Sequence, residues 1–458
     1  MAALEWQNFV RRAVFPYLGP PSARQTAFGV TLGILISYNA CLTLGFGLFG
    51  SKGNSVITGL LLFGLPLLLF LFSYRGGLRF QLADFLFAGL LITALLFLII
   101  NANGFREGLT SEYALLAATF AGYAACRPID AESLVKVRSA FERVTAIIVL
   151  LGALFTAEQL FDQWDGPPGK PLVFGFNAAG TYFTAGLGFL ILALVTVDRP
   201  RPVRTLLIVA LIFLPTAIFA AAMVRFAFLA LAGSLLIAAI LTEAGKRWHI
   251  AVVALALFLA AAVGLGARYS STKVYAAYIL EETVEIKDRA AARARAQALG
   301  RITEQAADMP SCSLQVNTSN SIAIRRALVK DALYLIPTAG FLGLGLDSFM
   351  EYSCILAHEV HVSILQAAVE FGWLGCACLV LLVGVAAYRL FPLAKRGGAF
   401  RFVFCSLVFA VLLSMAHGRI SRDSALFALL GCAVGAVSNS KRSVSEGLSL
   451  AVQQVHAR

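Results

Sequence analysis

Charge is what this chain has least of. Only 14% of its 458 residues are charged, where a soluble domain carries about a quarter. That excludes an ordinary water-soluble fold. Short alternating strands are missing too, which excludes a membrane β-barrel. No internal repeat is visible, and this weighs against a transporter built from duplicated halves. A cleavable export signal is not apparent. Residues 1–26 instead set Trp6, Phe9 and Phe15 beside Arg11 and Arg12, the pattern of a helix lying on the inner leaflet.

What is present is apolar. Hydrophobic residues make up 59% of the chain and the mean hydropathy is +0.81. Runs of about 20 apolar residues, enough for a helix to cross the hydrocarbon core, recur along most of the length. The chain reads as an all-α polytopic membrane protein of about 12 spans. They lie near 27–49, 56–73, 83–101, 112–126, 144–160, 174–197, 205–222, 226–242, 249–267, 362–388, 402–417 and 424–438. This divides it into a membrane region 1–267 (spans one to nine), an outer loop 268–361, a second membrane region 362–438 and a tail 439–458.

The net charge of +12 does not imply a nucleic-acid partner. With both termini in the cytoplasm, cytoplasmic segments hold 21 of the 37 Lys and Arg, and short outer loops hold 6. The long loop Arg268–His361 holds the other 10, balanced by 10 Asp and Glu. The basic excess therefore reports orientation in a lipid bilayer. Of eight cysteines, Cys41, Cys126, Cys376, Cys378, Cys405 and Cys432 fall in or beside spans, as packing residues. Cys312 and Cys354 share the long loop. In an oxidising compartment they could close a ring of about 43 residues, worth roughly 4 kcal/mol on the chain-entropy account.

Between spans, Arg127–Arg143 has the pattern of a short surface helix, and Gly166-Pro-Pro-Gly169 marks a turn. In the long loop, the proline-free stretch at about 274–307 is expected to be helical, with Glu285, Arg289 and Arg293 on one face. That ladder reads as a solvated face in preference to a substrate-binding stripe. A second helix is expected over Ser321–Ile336, ending at Pro337. Glycines 340, 343 and 345 then permit irregular backbone.

Three cationic positions converge on the outer side. Arg225 stands in the tight turn Met223-Val-Arg-Phe, where it either snorkels to headgroups or binds an anion. Arg325 and Arg326 project about 100° apart on a helix, so one of them faces any site. A guanidinium suits phosphate because its planar fork donates two parallel charged hydrogen bonds. His361, at the outer end of span ten, is either a satisfied boundary residue or a group for acceptor hydroxyls and phosphate. His358-Glu-Val-His361 is one residue short of the His-Glu-x-x-His zinc motif, so no metal is assigned. Glu370, nine residues after His361, reads as an orienting carboxylate, and Gly372 and Gly375 as close-packing positions.

These residues resemble the O-antigen ligase and polymerase superfamily. His361 with Leu365, Glu370, Gly372 and Gly375 is similar to its His-Asn-x-x-Leu run followed by Glu-x-Gly-x-x-Gly. Arg325 with Leu328, Ala332 and Leu333 resembles its Arg-x-x-Leu-Trp-x-x-Ala-Leu segment, which leads into Gly343-x-Gly345-x-x-x-Phe349. Arg225 with Ala227 resembles a Ser-Arg-x-Ala turn, and Gly175-Phe-Asn177 a Gly-x-x-Asn-Pro-Asn segment. Val362, Val224 and Val329 depart from the pattern, at positions bearing on the acceptor more than on the reaction class.

The resemblance implies an inverting, metal-independent glycosyltransferase without a cofactor, at the periplasmic face of the bacterial inner membrane. The donor would be an undecaprenyl-diphosphate-linked glycan and the acceptor lipid A-core oligosaccharide, or in a polymerase another lipid-linked glycan. Arg225, Arg325 and His361 would be catalytic, and Arg326, His358, Asn177 and Glu370 would bind substrate. A lipid-linked glycan flippase or transporter would need polar groups along the spans. Beyond Asp84, Glu158 and Glu370 these are few.

Overall fold

The computed structural model describes residues 21–49, 55–73, 80–100, 109–129, 131–164, 170–176, 179–280, 284–285, 309–317, 320–355 and 358–438. Arg289, Arg293, Gly166–Gly169, Asn177, the first 20 residues and the tail lie outside them.

Among the described residues the chain is helical almost throughout. Its helices are α1 (Pro21–Ile36), α2 (Tyr38–Phe49), α3 (Ser55–Ser73), α4 (Leu82–Ile100), α5 (Leu109–Cys126) and α6 (Leu134–Asp162). Then come α7 (Ala179–Val195), α8 (Pro202–Ala221), α9 (Phe226–Leu241), α10 (Trp248–Ala267) and α11 (Tyr269–Leu280). After a polar segment follow α12 (Ser321–Ala339), α13 (Phe349–Tyr352), α14 (Ser363–Glu370), α15 (Gly372–Arg396) and α16 (Gly398–His417). The last is α17 (Ser424–Ser438). Among the described residues, α6, α8, α10, α15 and α16 are long and apolar enough to cross a membrane. The pair α1 and α2 passes the same test together, bent by 80° at Ser37. Leu154, Leu206, Leu214, Leu236 and Phe258 point outward on these helices and α9. Such an apolar exterior needs lipid around it. This is an α-helical membrane protein.

Two helices are apolar on every side and sit in the middle, as such a pattern requires. Every residue of α7 from Phe189 to Leu194 is buried, and α17 is buried from Leu426 to Leu430. Phenylalanines interlock around them: Phe189 meets Phe409 edge-on at 4.9 Å, and Phe120 meets Phe427 at 4.8 Å. Asp84 is held by Arg127, at 2.9 Å to its Nε, and by the Tyr123 hydroxyl at 2.8 Å. That answers the cost of a carboxylate at the start of α4.

Several sequence-based boundaries move. The stretch 127–143 is no separate surface helix, because from Leu134 it runs straight into α6. The helix expected over 274–307 is interrupted, since Val284–Glu285 forms a two-residue strand, β1, paired antiparallel with β2, Leu314–Gln315. Propensity for helix is overridden here by cross-strand pairing. The helix from Ser321 passes Pro337 and ends at Ala339. A proline near a helix C-terminus removes one backbone donor without closing the last turn.

The expected tenth span is broken between Glu370 and Gly372. Gly372 has φ +71°, and a Cβ there would lie 2.4 Å from the Gly343 nitrogen; Gly343, φ +84°, stands against Glu370 oxygen in the same way. Two left-handed glycines thus let the loop after α12 press onto the junction of α14 and α15. Gly375 does pack closely as its sequence suggests, its Cα facing Thr93 of α4.

The segment between α10 and α14 has a second core of its own, with Met309, Leu314, Ile324, Leu328, Leu335, Phe349 and Val360. Cys312 and Cys354 are joined in a disulfide inside it, with Cα atoms 5.1 Å apart.

Candidate functional site

The cations come together from the connections at one end of the bundle. The turn from α8 to α9 is made by Met223 at φ +62°, its side chain buried, so that Arg225 becomes the first residue before α9. Its guanidinium lies 4.8 Å from the centre of the Tyr275 ring on α11 and donates to the Tyr275 carbonyl at 3.3 Å. One residue on, the Phe226 ring carries the Arg325 guanidinium at 4.4 Å. Arg325 sits on the first turns of α12, whose start is capped by Asn320 accepting from Ile322 and Ala323 nitrogens. Burial, then the charge of Arg225, holds Arg325 down to about 10.

His361 completes the group. Burial lowers its imidazole to about 4, and the positive charges of Arg325 and His358 press the same way. A ring so placed is neutral at physiological pH and free to accept a proton. The structure therefore brings Arg225, Arg325, His361 and His358 into one neighbourhood. Arg326 points elsewhere, exposed, its guanidinium directed at the Ile279 carbonyl 3.5 Å away. Glu370 is inside the protein, 2% exposed, with Gln366 Nε2 donating to it at 2.9 Å. Asn177 lies outside the described residues.

One cation went unread in the sequence. Lys170, between α6 and α7, is half-buried, and its ammonium is lowered to about 8 by burial and by the charges of Arg325 and Arg225. Three positive groups, Lys170, Arg225 and Arg325, from three distant segments thus act on one another, with the neutral His361 beside Arg325. Gathering like charges costs Coulomb energy that falls when an anion enters. The best chemical match is a multiply charged anion such as a diphosphate.

Beside this group lies a mixed-charge network that sequence reasoning also missed. Arg419, 8% exposed in the connection between α16 and α17, donates from Nη1 to Glu359 and from Nη2 to Asp347 at 2.7 Å. It also pairs with Glu112 on α5 at 3.2 Å, and Arg422 meets the other oxygen of Glu112 at 3.1 Å. Glu359 is thereby engaged by a guanidinium, and among the described residues no group of three or more His, Cys, Asp and Glu is arranged around a metal position. The readable signal was Arg419 and Arg422 with Asp423 in a six-residue connection between two apolar helices.

No protein-family model matches the chain, and no curated protein matches it in sequence.

Proposed function

We propose that the protein is a glycosyltransferase of about twelve spans, moving a glycan from undecaprenyl diphosphate to lipid A-core oligosaccharide at the periplasmic face of the inner membrane. One observation carries this reading: Lys170, Arg225, Arg325 and His361 stand together although some 190 residues separate the first from the last. The order and spacing of the motifs around them resemble those of O-antigen ligases and polymerases. The Cys312–Cys354 disulfide fits an oxidising compartment on that side of the membrane.

In this reading Arg225 and Arg325 hold the diphosphate and offset the charge that grows on it as the glycosidic bond breaks. His361, as a neutral imidazole, accepts the proton of the acceptor hydroxyl while that oxygen attacks the anomeric carbon from the opposite side. The sugar is thereby inverted, and undecaprenyl diphosphate leaves with the bonding pair. Guanidinium groups supply the charge a divalent ion would otherwise provide, so activity is expected to persist in chelator.

The test is the lipopolysaccharide profile of a deletion strain. A ligase deletion leaves polymerised chains on the lipid carrier and none on the core. Single repeats on the core would instead indicate a polymerase of the same superfamily. An unchanged profile with unchanged carrier-linked glycan would remove the reading.

A further inference from the structure

His358 and His361 sit on a strap between α13 and α14 whose described residues, 353–355 and 358–362, are non-helical, and its two ends are fastened by different means. At the first end, Ser353 Oγ donates to Asp331 Oδ2 at 2.8 Å, and Cys354 nitrogen donates to Ser311 Oγ at 2.9 Å. Ser311 nitrogen donates in turn to Asp331 Oδ1 at 2.8 Å, and the disulfide Cys312–Cys354 crosses the same point. At the far end, Ser363 Oγ donates to Asp423 Oδ2 at 2.6 Å. Between them the strap has a third attachment, Glu359, two residues before His361, bonded to Arg419.

Arg419 is itself well fixed. Its guanidinium has five N–H donors in a rigid plane. Beyond Glu359 they reach Asp347, in the loop after α12, and Glu112 on α5. The next residue is tied as well, since Ile420 nitrogen donates to Gln366 Oε1 of α14 at 2.9 Å. Three anchored parts of the fold therefore meet at one side chain, which offers the strap a rigid point outside its own segment. Asp347 and Glu112 would suffice to staple the α16–α17 connection to the loop after α12 and to α5; the bond to Glu359 adds a hold on the backbone that carries the imidazole.

We propose that Arg419 is a positioning residue for His361, fixing through Glu359 where the imidazole stands relative to the bound anion. This rests on the transferase reading for its consequence, but the clasp itself is a property of the fold. A displacement of about 1 Å at a catalytic group can cost on the order of 100-fold in rate.

Glu359→Gln isolates the effect, because it weakens only the strap's attachment and leaves Arg419 with Asp347 and Glu112. Hydrogen exchange over residues 353–362 is expected to quicken by about 10-fold or more, with the α12 peptides unchanged. In purified protein kcat for glycan transfer should fall by about 10-fold or more, with the donor KM unchanged because Arg225 and Arg325 are untouched. Glu359→Asp, which keeps the charge, should recover part of the loss. Unchanged exchange in the strap would overturn the clasp. Faster exchange with an undiminished kcat, or a rise in KM alone, would overturn the positioning role. If the wild type transfers no glycan, the function reading falls by itself, and the exchange measurement still decides whether Glu359 holds the strap.

Discussion

At the scale of single residues, the proposed chemistry depends on how charge is placed at one end of the bundle. On the proposed transferase reading, Arg225→Ala and Arg325→Ala should each lower glycan transfer by at least about 100-fold, since each would remove stabilisation of the leaving diphosphate. Arg326→Ala, with its side chain exposed and turned to Ile279, should change transfer less than about two-fold. A reversed ranking of the two neighbours would show that the other face of α12 meets the substrate. The pH dependence has a definite sign. His361 lies at about 4 in the free protein, against an ordinary 6.5. Between those values the unfolded chain binds a proton that the folded chain does not, so this residue's contribution to stability is lost as pH falls from 6.5 towards 4. The acid limb of kcat/KM should accordingly lie near 4. A bound diphosphate offsets Arg325, so the limb of kcat should lie higher, and a single limb at 6.5 in both profiles would contradict this placement. The arginines and His361 were legible because cations beside long apolar runs are costly unless they are used. Lys170 was not, since Gly169-Lys170-Pro171 reads only as the end of a turn, and its neighbours Arg225 and Arg325 lie 55 and 155 residues further along the chain.

At the scale of elements, apolar runs located the helices well but could not show how they bend. The expected span 27–49 contains the 80° break at Ser37, and the expected span 362–388 contains the left-handed break at Gly372. Both breaks are set by tertiary contacts that leave no periodic trace: the second exists because the loop carrying Gly343 inserts against it. Gly372→Ala tests this. Its Cβ would meet the Gly343 nitrogen and the Phe341 oxygen at 2.4 Å, and alanine is strained at φ +71° in any case. The substitution should destabilise by about 2 kcal/mol or more and lower the melting midpoint in detergent by several degrees. Gly245→Ala, in the open connection between α9 and α10, serves as the control and should leave the midpoint unchanged within about one degree. Equal midpoints for the two variants would mean that the junction of α14 and α15 relaxes without cost. The strand pair Val284–Glu285 with Leu314–Gln315 makes the same point on a smaller scale, since helix-forming residues were diverted by a partner some 30 residues later.

At the scale of the whole molecule, the distribution of polar groups bears on the choice between the proposed surface catalyst and a conduit. The central helices α7 and α17 are packed with Phe, Leu, Ala and Val, while Lys170, Arg225, Arg325, His361 and the Arg419 network gather at one end. A flippase would have to pass a charged headgroup through an interior of that kind, at a cost of several kcal/mol per unpaired charge. A transferase needs only to hold it at the rim. What remains is which compartment that rim faces, and here the positive-inside bias makes a commitment: the segments assigned to the cytoplasm, Arg199–Arg204 and Lys246–Arg247 among them, hold 21 of the 37 Lys and Arg, against 6 in the short outer loops. Thr338→Cys, exposed near the end of α12, and Gly245→Cys, exposed between α9 and α10, lie at opposite ends of the bundle. In intact spheroplasts a membrane-impermeant maleimide should label Cys at 338 and spare Cys at 245 until the membrane is opened, with wild type giving the background from its own thiols. Labelling in the reverse order would turn the cationic cluster towards the cytosol. An exported lipid diphosphate could then not reach it, and the transferase reading would fail although every contact described above would still hold.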